Sequence, residues 1–170
     1  MRRRGNRSGR RRCGLTLVEV AVSSLIVGAL FVAVMNTVGS AQTTTILNAR
    51  RLRALQLAQD LLAEVLAQPY VDAAAGATLG PEGDENDLGR TGFDDVDDYH
   101  KLEESPVVER DGSASPGAGG LRRTVAVSWV KPDSLGDAEQ ETGLKKVTVT
   151  VWHGPRVVVT LSGVRAEVGP

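Results

Sequence analysis

From residue 15 to residue 38 the sequence is apolar or small at nearly every position, broken only by Thr16, Glu19, Ser23, Ser24, Gly28, Asn36 and Thr37. As a helix these 24 residues would run about 36 Å, enough for a hydrocarbon core of roughly 30 Å. A secretory signal core is shorter, about 7–15 residues, so length favours a membrane span over a conventional signal peptide. Residues 1–14 carry seven arginines and no acid. The positive-inside rule then places this leader in the cytoplasm and the C-terminal part across the membrane. Within the start of the run stands one carboxylate, Glu19. A mid-membrane acid costs about 2.5–3.5 kcal/mol on insertion scales, a cost that a plain anchor has no use for. Two further readings bear on this segment. Glu19 also fits a position at the headgroup boundary, and Gly39-Ser40-Ala41 has the small residues of a signal-peptidase site, which would leave a chain starting at Gln42.

The rest of the chain is acidic. With the seven leader arginines set aside, 13 basic residues face 21 acidic ones, a net charge of −8. A basic tail on an acidic body does not suit a nucleic-acid binder, because the folded part lacks the basic patch. Cys13, the only cysteine, lies in the leader, so the body forms no internal disulfide and no cysteine-ligated metal site. It precedes the apolar run, whereas an acylated lipoprotein cysteine follows one, and reads as a spectator.

The helical pattern continues beyond the membrane. Residues 41–68 contain no glycine or proline and are dominated by Ala, Leu, Gln and Arg, all good helix formers. Leu47, Ala54, Ala58, Leu61 and Val65, with Leu55, Leu62 and Leu66 beside them, recur at three- and four-residue spacing and define an apolar face. Arg50, Arg51, Arg53, Gln56, Gln59 and Asp60 fall largely on the other side, the arginines open to lipid headgroups, a neighbouring chain or solvent. Pro69 stops the helix. One helix over residues 15–68 is expected, about 80 Å long.

Residues 69–120 are rich in Gly, Ala, Asp, Glu, Ser and Pro. Phe93, Val96 and Tyr99 are expected to anchor this region to the rest, and residues 113–120 to form a flexible loop. Its carboxylates, Asp84, Asp87, Asp94, Asp95, Asp97 and Asp98, could supply oxygens to Ca²⁺. Asp84 and Asp87 lack EF-hand spacing, so the expectation is a solvated acidic loop and no metal.

The end of the chain alternates with period two. Val125, Val127 and Trp129 oppose Thr124, Ala126, Ser128 and Val130; Val147, Val149 and Val151 oppose Lys146, Thr148, Thr150 and Trp152. Residues 153–156 make a tight connection to a third strand at 157–161. Trp129 and Trp152 are expected in the core or on the sheet surface. Short connections imply an antiparallel sheet, which the apolar helix face would cover. The expected fold is α+β: a basic leader (1–14), a transmembrane helix half (15–39), an amphipathic half (40–68), an acidic variable region (69–120), and an antiparallel sheet of about three to four strands (121–170).

A basic leader, then Gly14 followed by Leu-Thr-Leu-Val-Glu-Val and an apolar helix, resembles the cleavage and methylation signal of type IV pilins and type II secretion pseudopilins. The long helix, acidic region and small sheet are similar to those of minor pilin-like proteins. The resemblance implies that a prepilin peptidase cuts between Gly14 and Leu15, that the new amine on Leu15 is methylated, and that Glu19 becomes the fifth residue of the mature chain. It implies a single-pass protein of the bacterial inner membrane with a periplasmic body, whose N-terminal helix joins other pilin-like subunits in a filament. Glu19 of one subunit would then neutralise the Leu15 amine of its neighbour. Some pseudopilins bind calcium in the acidic region. The sequence departs from the usual pattern in having leucine at position 15, where phenylalanine is common, and no proline within the apolar helix.

No catalytic constellation is legible. His100 and His153 are far apart in sequence, and no nucleophile–base spacing, phosphate-cradling loop or histidine cluster is present. The chain therefore reads as a structural subunit and not as an enzyme. The alternative is a filament-tip pilin acting as an adhesion or DNA-binding module. For DNA this would need Arg122, Arg123, Lys145, Lys146 and Arg156 to cluster on one face.

Overall fold

A computed structural model describes residues 14, 16–72, 78–83 and 85–167, without the side chains of residues 40, 41, 43, 86 and 87. The chain divides into two compact units, Met1–Ile46 and Leu47–Pro170. The division falls a turn or two beyond the membrane boundary expected at residue 39.

Helix α1 (Leu17–Ala67) runs through the apolar segment and on to the residue before Gln68, close to the expected 15–68. Thr16 caps it: its Oγ1 accepts the backbone N–H of Glu19 at 3.2 Å, which supplies one of the four donors that a helix start leaves unpaired. In the first unit the large apolar side chains are exposed, with Leu17 at 86% and Leu25 at 73%. The helix is long and apolar enough to cross a membrane. Two of its hydroxyls bond back to the helix, Ser24 to the Val20 carbonyl at 2.8 Å and Thr37 to the Ala33 carbonyl at 2.9 Å, which suits an apolar surrounding. Gly39, Ser40 and Ala41 lie inside this continuous helix.

The second unit is an α+β body. Its sheet has four antiparallel strands in sequential order: β1 (Glu103–Glu104), β2 (Leu121–Trp129), β3 (Leu144–His153) and β4 (Arg156–Ala166). Ala54, Leu57, Ala58, Leu61 and Val65 of α1 are buried against the inward valines Val125, Val127, Val147, Val149 and Val151. Each large side chain so buried contributes about 1.5–3 kcal/mol. Leu47, expected on the same apolar face, is exposed, while Leu57 joins the core. Gly154, at φ 57, with Pro155 makes the two-residue β3–β4 turn, the positive φ at its first position suiting the right-handed twist of the strands.

Three differences from expectation concern the sheet and what packs on it. The strand expected over 157–161 is twice as long, because Ser162 and Gly163 continue the pairing opposite Thr148 and Val147. The fourth strand comes from the acidic region, where Glu104 lies opposite Arg123. Residues 113–120, expected to be a flexible loop, lie against the body: Ser115 and Ala118 are buried and Arg53 donates to Ser115 Oγ at 3.0 Å. Gly163 permits a close approach, since a Cβ there would sit 2.7 Å from Leu66 Cδ1.

Candidate functional site

Two places carry the residues singled out from sequence. The first is the start of α1. Gly14 is exposed, and Leu15 lies outside the described residues. Glu19 is exposed in the first turn, three residues after the Thr16 cap. The spacing Thr16-x-x-Glu19 is that of a capping box, and an acid at a helix N-terminus also meets the positive end of the helix dipole. This local role was legible in the sequence as a threonine three residues before an acid at the mouth of an apolar run. Among the described residues Glu19 has no ion-pair partner. Its charge is therefore open to a group from another molecule.

The second place is the acidic region. Asp84 and the Asp87 side chain lie outside the described residues. The others do not form a solvated face: Asp95, Asp97 and Asp98 are buried, and only Asp94 is exposed. That expectation is corrected, and the reason is that the carboxylates work as local backbone acceptors. Asp95 takes the N–H of Asp97 and Asp98 on Oδ1 and that of Asp72 on Oδ2 at 2.6 Å. Asp98 Oδ2 takes the N–H of Asp94 at 2.8 Å and of Asp95 at 3.0 Å. Together they fold residues 93–99 into a tight, buried double turn. Phe93, Val96 and Tyr99 anchor it as expected, with Phe93 and Tyr99 edge-to-face at 5.0 Å.

Asp97 points the other way, into the body, where its Oδ2 meets Lys145 Nζ at 2.6 Å. Both are fully buried, and Lys145 also donates to the Tyr70 carbonyl and lies over the Tyr70 ring. Burial pushes the Asp97 carboxyl up to about 6, with Lys145 pulling against it. A second buried network joins α1, the segment Gly89–Thr91 (a 3-10 turn), β1 and β2. Arg90 bridges Glu64 at 3.3 Å and Glu104 at 3.0 Å. Arg123 pairs with Glu104 and donates to the carbonyls of Leu57 and Val108.

These networks bear on the basic residues named for nucleic acid. Arg123 and Lys145 are buried and committed to Glu104 and Asp97, so they offer nothing to a phosphate. Arg122, on the outer face, pairs with Glu103 at 2.9 Å and stacks on Trp152 at 4.9 Å. Lys146 pairs with Asp137 at 2.7 Å. Trp152 is thus a sheet-surface residue. His100 is tied locally: its Nδ1 accepts the Val127 N–H at 3.2 Å, and burial lowers its affinity for a proton.

One carboxylate group was missed in part. Glu82, Glu85 and Asp98 each bring a carboxylate oxygen to one spot, all within 4.8 Å of one another. Of the three, only Asp98 was among the sequence candidates; Glu82 and Glu85 became visible once the fold closed the loop. No family model, curated protein or solved structure matches the chain.

Proposed function

We propose that this chain is a minor pilin-like subunit of a type II secretion or type IV pilus filament, inserted in the inner membrane and processed by a prepilin peptidase between Gly14 and Leu15. The observation that carries the reading is the exposed apolar first half of α1, opened by Gly14 and the Thr16 cap and carrying in its first turn a Glu19 without an ion-pair partner among the described residues. An apolar helix surface of this extent needs lipid or other helices around it. In the membrane it is an anchor; in a filament it is shared core. Cleavage creates an amine one turn from Glu19, and the Glu19 of an adjacent subunit neutralises it. Pairing in a low-dielectric setting offsets the cost of burying either charge, so a displaced subunit leaves both uncompensated. The α+β body supplies the surface of the assembly and its variable contacts. Mass analysis of the mature N-terminus tests the reading. A methylated Leu15 is the expected result, and a chain beginning at Gln42 would remove both the anchor and the proposal.

A further inference from the structure

We propose that Lys145 and Asp97 condense inside the folded body to a side-chain amide, a covalent cross-link between β3 and the acidic region. The inference stands on the geometry of the body alone and is independent of the filament reading.

Both reacting groups are fully buried, and Lys145 Nζ lies 2.6 Å from Asp97 Oδ2. Among the described residues, the other hydrogen bond of Nζ goes to the Tyr70 carbonyl, and the Tyr70 ring covers it with its centroid 4.0 Å away. Each partner is also fixed through its backbone. Lys145 stands opposite Trp129 of β2 and Arg165 of β4, in a strand paired on both sides. Asp97 gives its N–H to Asp95 Oδ1, and its carbonyl accepts the N–H of Gly80 at 3.0 Å and of His100 at 2.8 Å. Groups held in this way react at effective concentrations of up to about 10⁵–10⁸ M, which carries a condensation that is negligible between a free amine and a free acid.

The observation that points to the amide is Asp97 Oδ1, which is buried with no hydrogen-bond partner. A buried carboxylate needs donors on both oxygens, and leaving one without is costly. Lys145 serves only Oδ2, and the ion pair keeps two charges out of water. The amide removes both charges and one of the two oxygens. The surroundings also favour the reactive form of Asp97. Burial first, against the pull of Lys145, and then the charges of Asp95 and Glu141 raise its proton affinity. A carboxylic acid is an electrophile towards an amine, whereas a carboxylate is not.

The step balances without a co-reactant. The proton between Nζ and Oδ2 passes to the oxygen, giving an amine and a carboxylic acid, the form a dry interior favours. The Nζ lone pair attacks Cγ, the C–N bond forms and the Cγ–Oδ2 bond breaks. The departing hydroxyl takes one amine proton and leaves as water, Oδ1 stays as the amide carbonyl, and nothing is oxidised or reduced. The ion pair forms first and aligns the chain; the amide then fixes that alignment. It closes a loop over the 48 residues that separate the pair in sequence, and restricts the unfolded chain as a disulfide does. A disulfide is not open to the body, whose chain has its one cysteine at position 13.

The test is mass measurement of the full chain, purified in detergent micelles and kept at neutral pH until its mass is constant, followed by tryptic digestion. Most chains are expected to be lighter than their sequence by the mass of one water. The digest should contain residues 91–101 joined to residues 124–146, with fragment ions placing the branch at Asp97 and Lys145. Lys145→Arg and Asp97→Ala should keep the full mass. If either variant fails to fold, the wild-type digest decides alone. Recovery of residues 91–101 unlinked overturns the proposal. So does a loss of water that persists in Lys145→Arg, since that marks an aspartyl succinimide.

Discussion

Lys145 Nζ lies 2.6 Å from Asp97 Oδ2 with both side chains fully buried, joining the middle of the acidic region to the start of β3. Removing one member of such a pair leaves the other charge stranded in the interior. Lys145→Ala is therefore expected to cost about 3–5 kcal/mol of unfolding free energy, measured by denaturant titration. Lys145→Met combined with Asp97→Asn should cost clearly less than the two single changes added together, because neither then leaves a lone buried charge. Strict additivity would show that the pair is not coupled.

Gly163 lies opposite Val147 on the inner face, where an added Cβ would come within 2.7 Å of Leu66 Cδ1. Gly163→Val should destabilise the body by about 1–3 kcal/mol through overpacking. Because the obstructing atom is the end of a leucine side chain, adding Leu66→Ala should recover part of the loss. A melting curve unchanged by Gly163→Val would mean that helix and sheet have slack at this point.

Tyr70 is buried and donates its hydroxyl to Glu141. Burial first, then that hydrogen bond and the negative charges of Glu141, Glu167 and Asp97, hold the phenol well above its ordinary range, with the Lys145 ammonium over the ring. In the unfolded chain the phenol ionises near pH 10. The unfolded state thus releases a proton that the folded state retains, and stability falls as pH rises from about 10 upward. Tyr70→Phe should flatten this alkaline slope in thermal melts while leaving the neutral-pH profile in shape. An unchanged slope would refute the assignment.

Glu19 offers a separable test, because the Thr16 cap gives it a local role beside the proposed intersubunit one. A glutamine at that position retains the capping-box geometry and loses the charge. Both Glu19→Ala and Glu19→Gln are expected to be cleaved after Gly14 normally and to enter filaments poorly, scored by immunoblot of sheared filaments. If Glu19→Gln assembles like wild type, the residue acts as a helix cap and not as a charge partner. Thr16→Ala, which removes about 1 kcal/mol of capping, should have the milder effect on assembly.

The sequence made the helix and the three long strands legible because each is a local signal. Freedom from glycine and proline over 41–68, Pro69 beyond it, and valines at every second residue need no knowledge of distant contacts. Arg123 and Lys145 escaped although the alternation carried them: each lies two residues before an inward valine, and the pattern places them on the inner face. What the pattern could not supply was their partners, Glu104 and Asp97, which lie 19 and 48 residues away in sequence. For the same reason the acidic stretch read as solvated. Its burial depends on one lysine from β3 and on backbone N–H groups that converge only after residues 93–99 have turned. β1 is two glutamates long and has no strand propensity to detect. Where three carboxylates meet, Asp98 was legible as an acid, whereas Glu82 and Glu85 reach it only through the closure of the loop.

The buried ammonium of Lys145 has a bearing on how the sheet avoids error. Val125 and Val127 face Val149 and Val147 across the β2–β3 ladder, and a run of like residues at every second position tolerates a slide of two residues with its oily face intact. Such a slide would carry Lys145 about 7 Å along the strand and part it from Asp97, leaving that buried carboxylate without its partner. Mis-threaded hairpins are thereby penalised, and a valine ladder whose pattern suits several alignments closes in one.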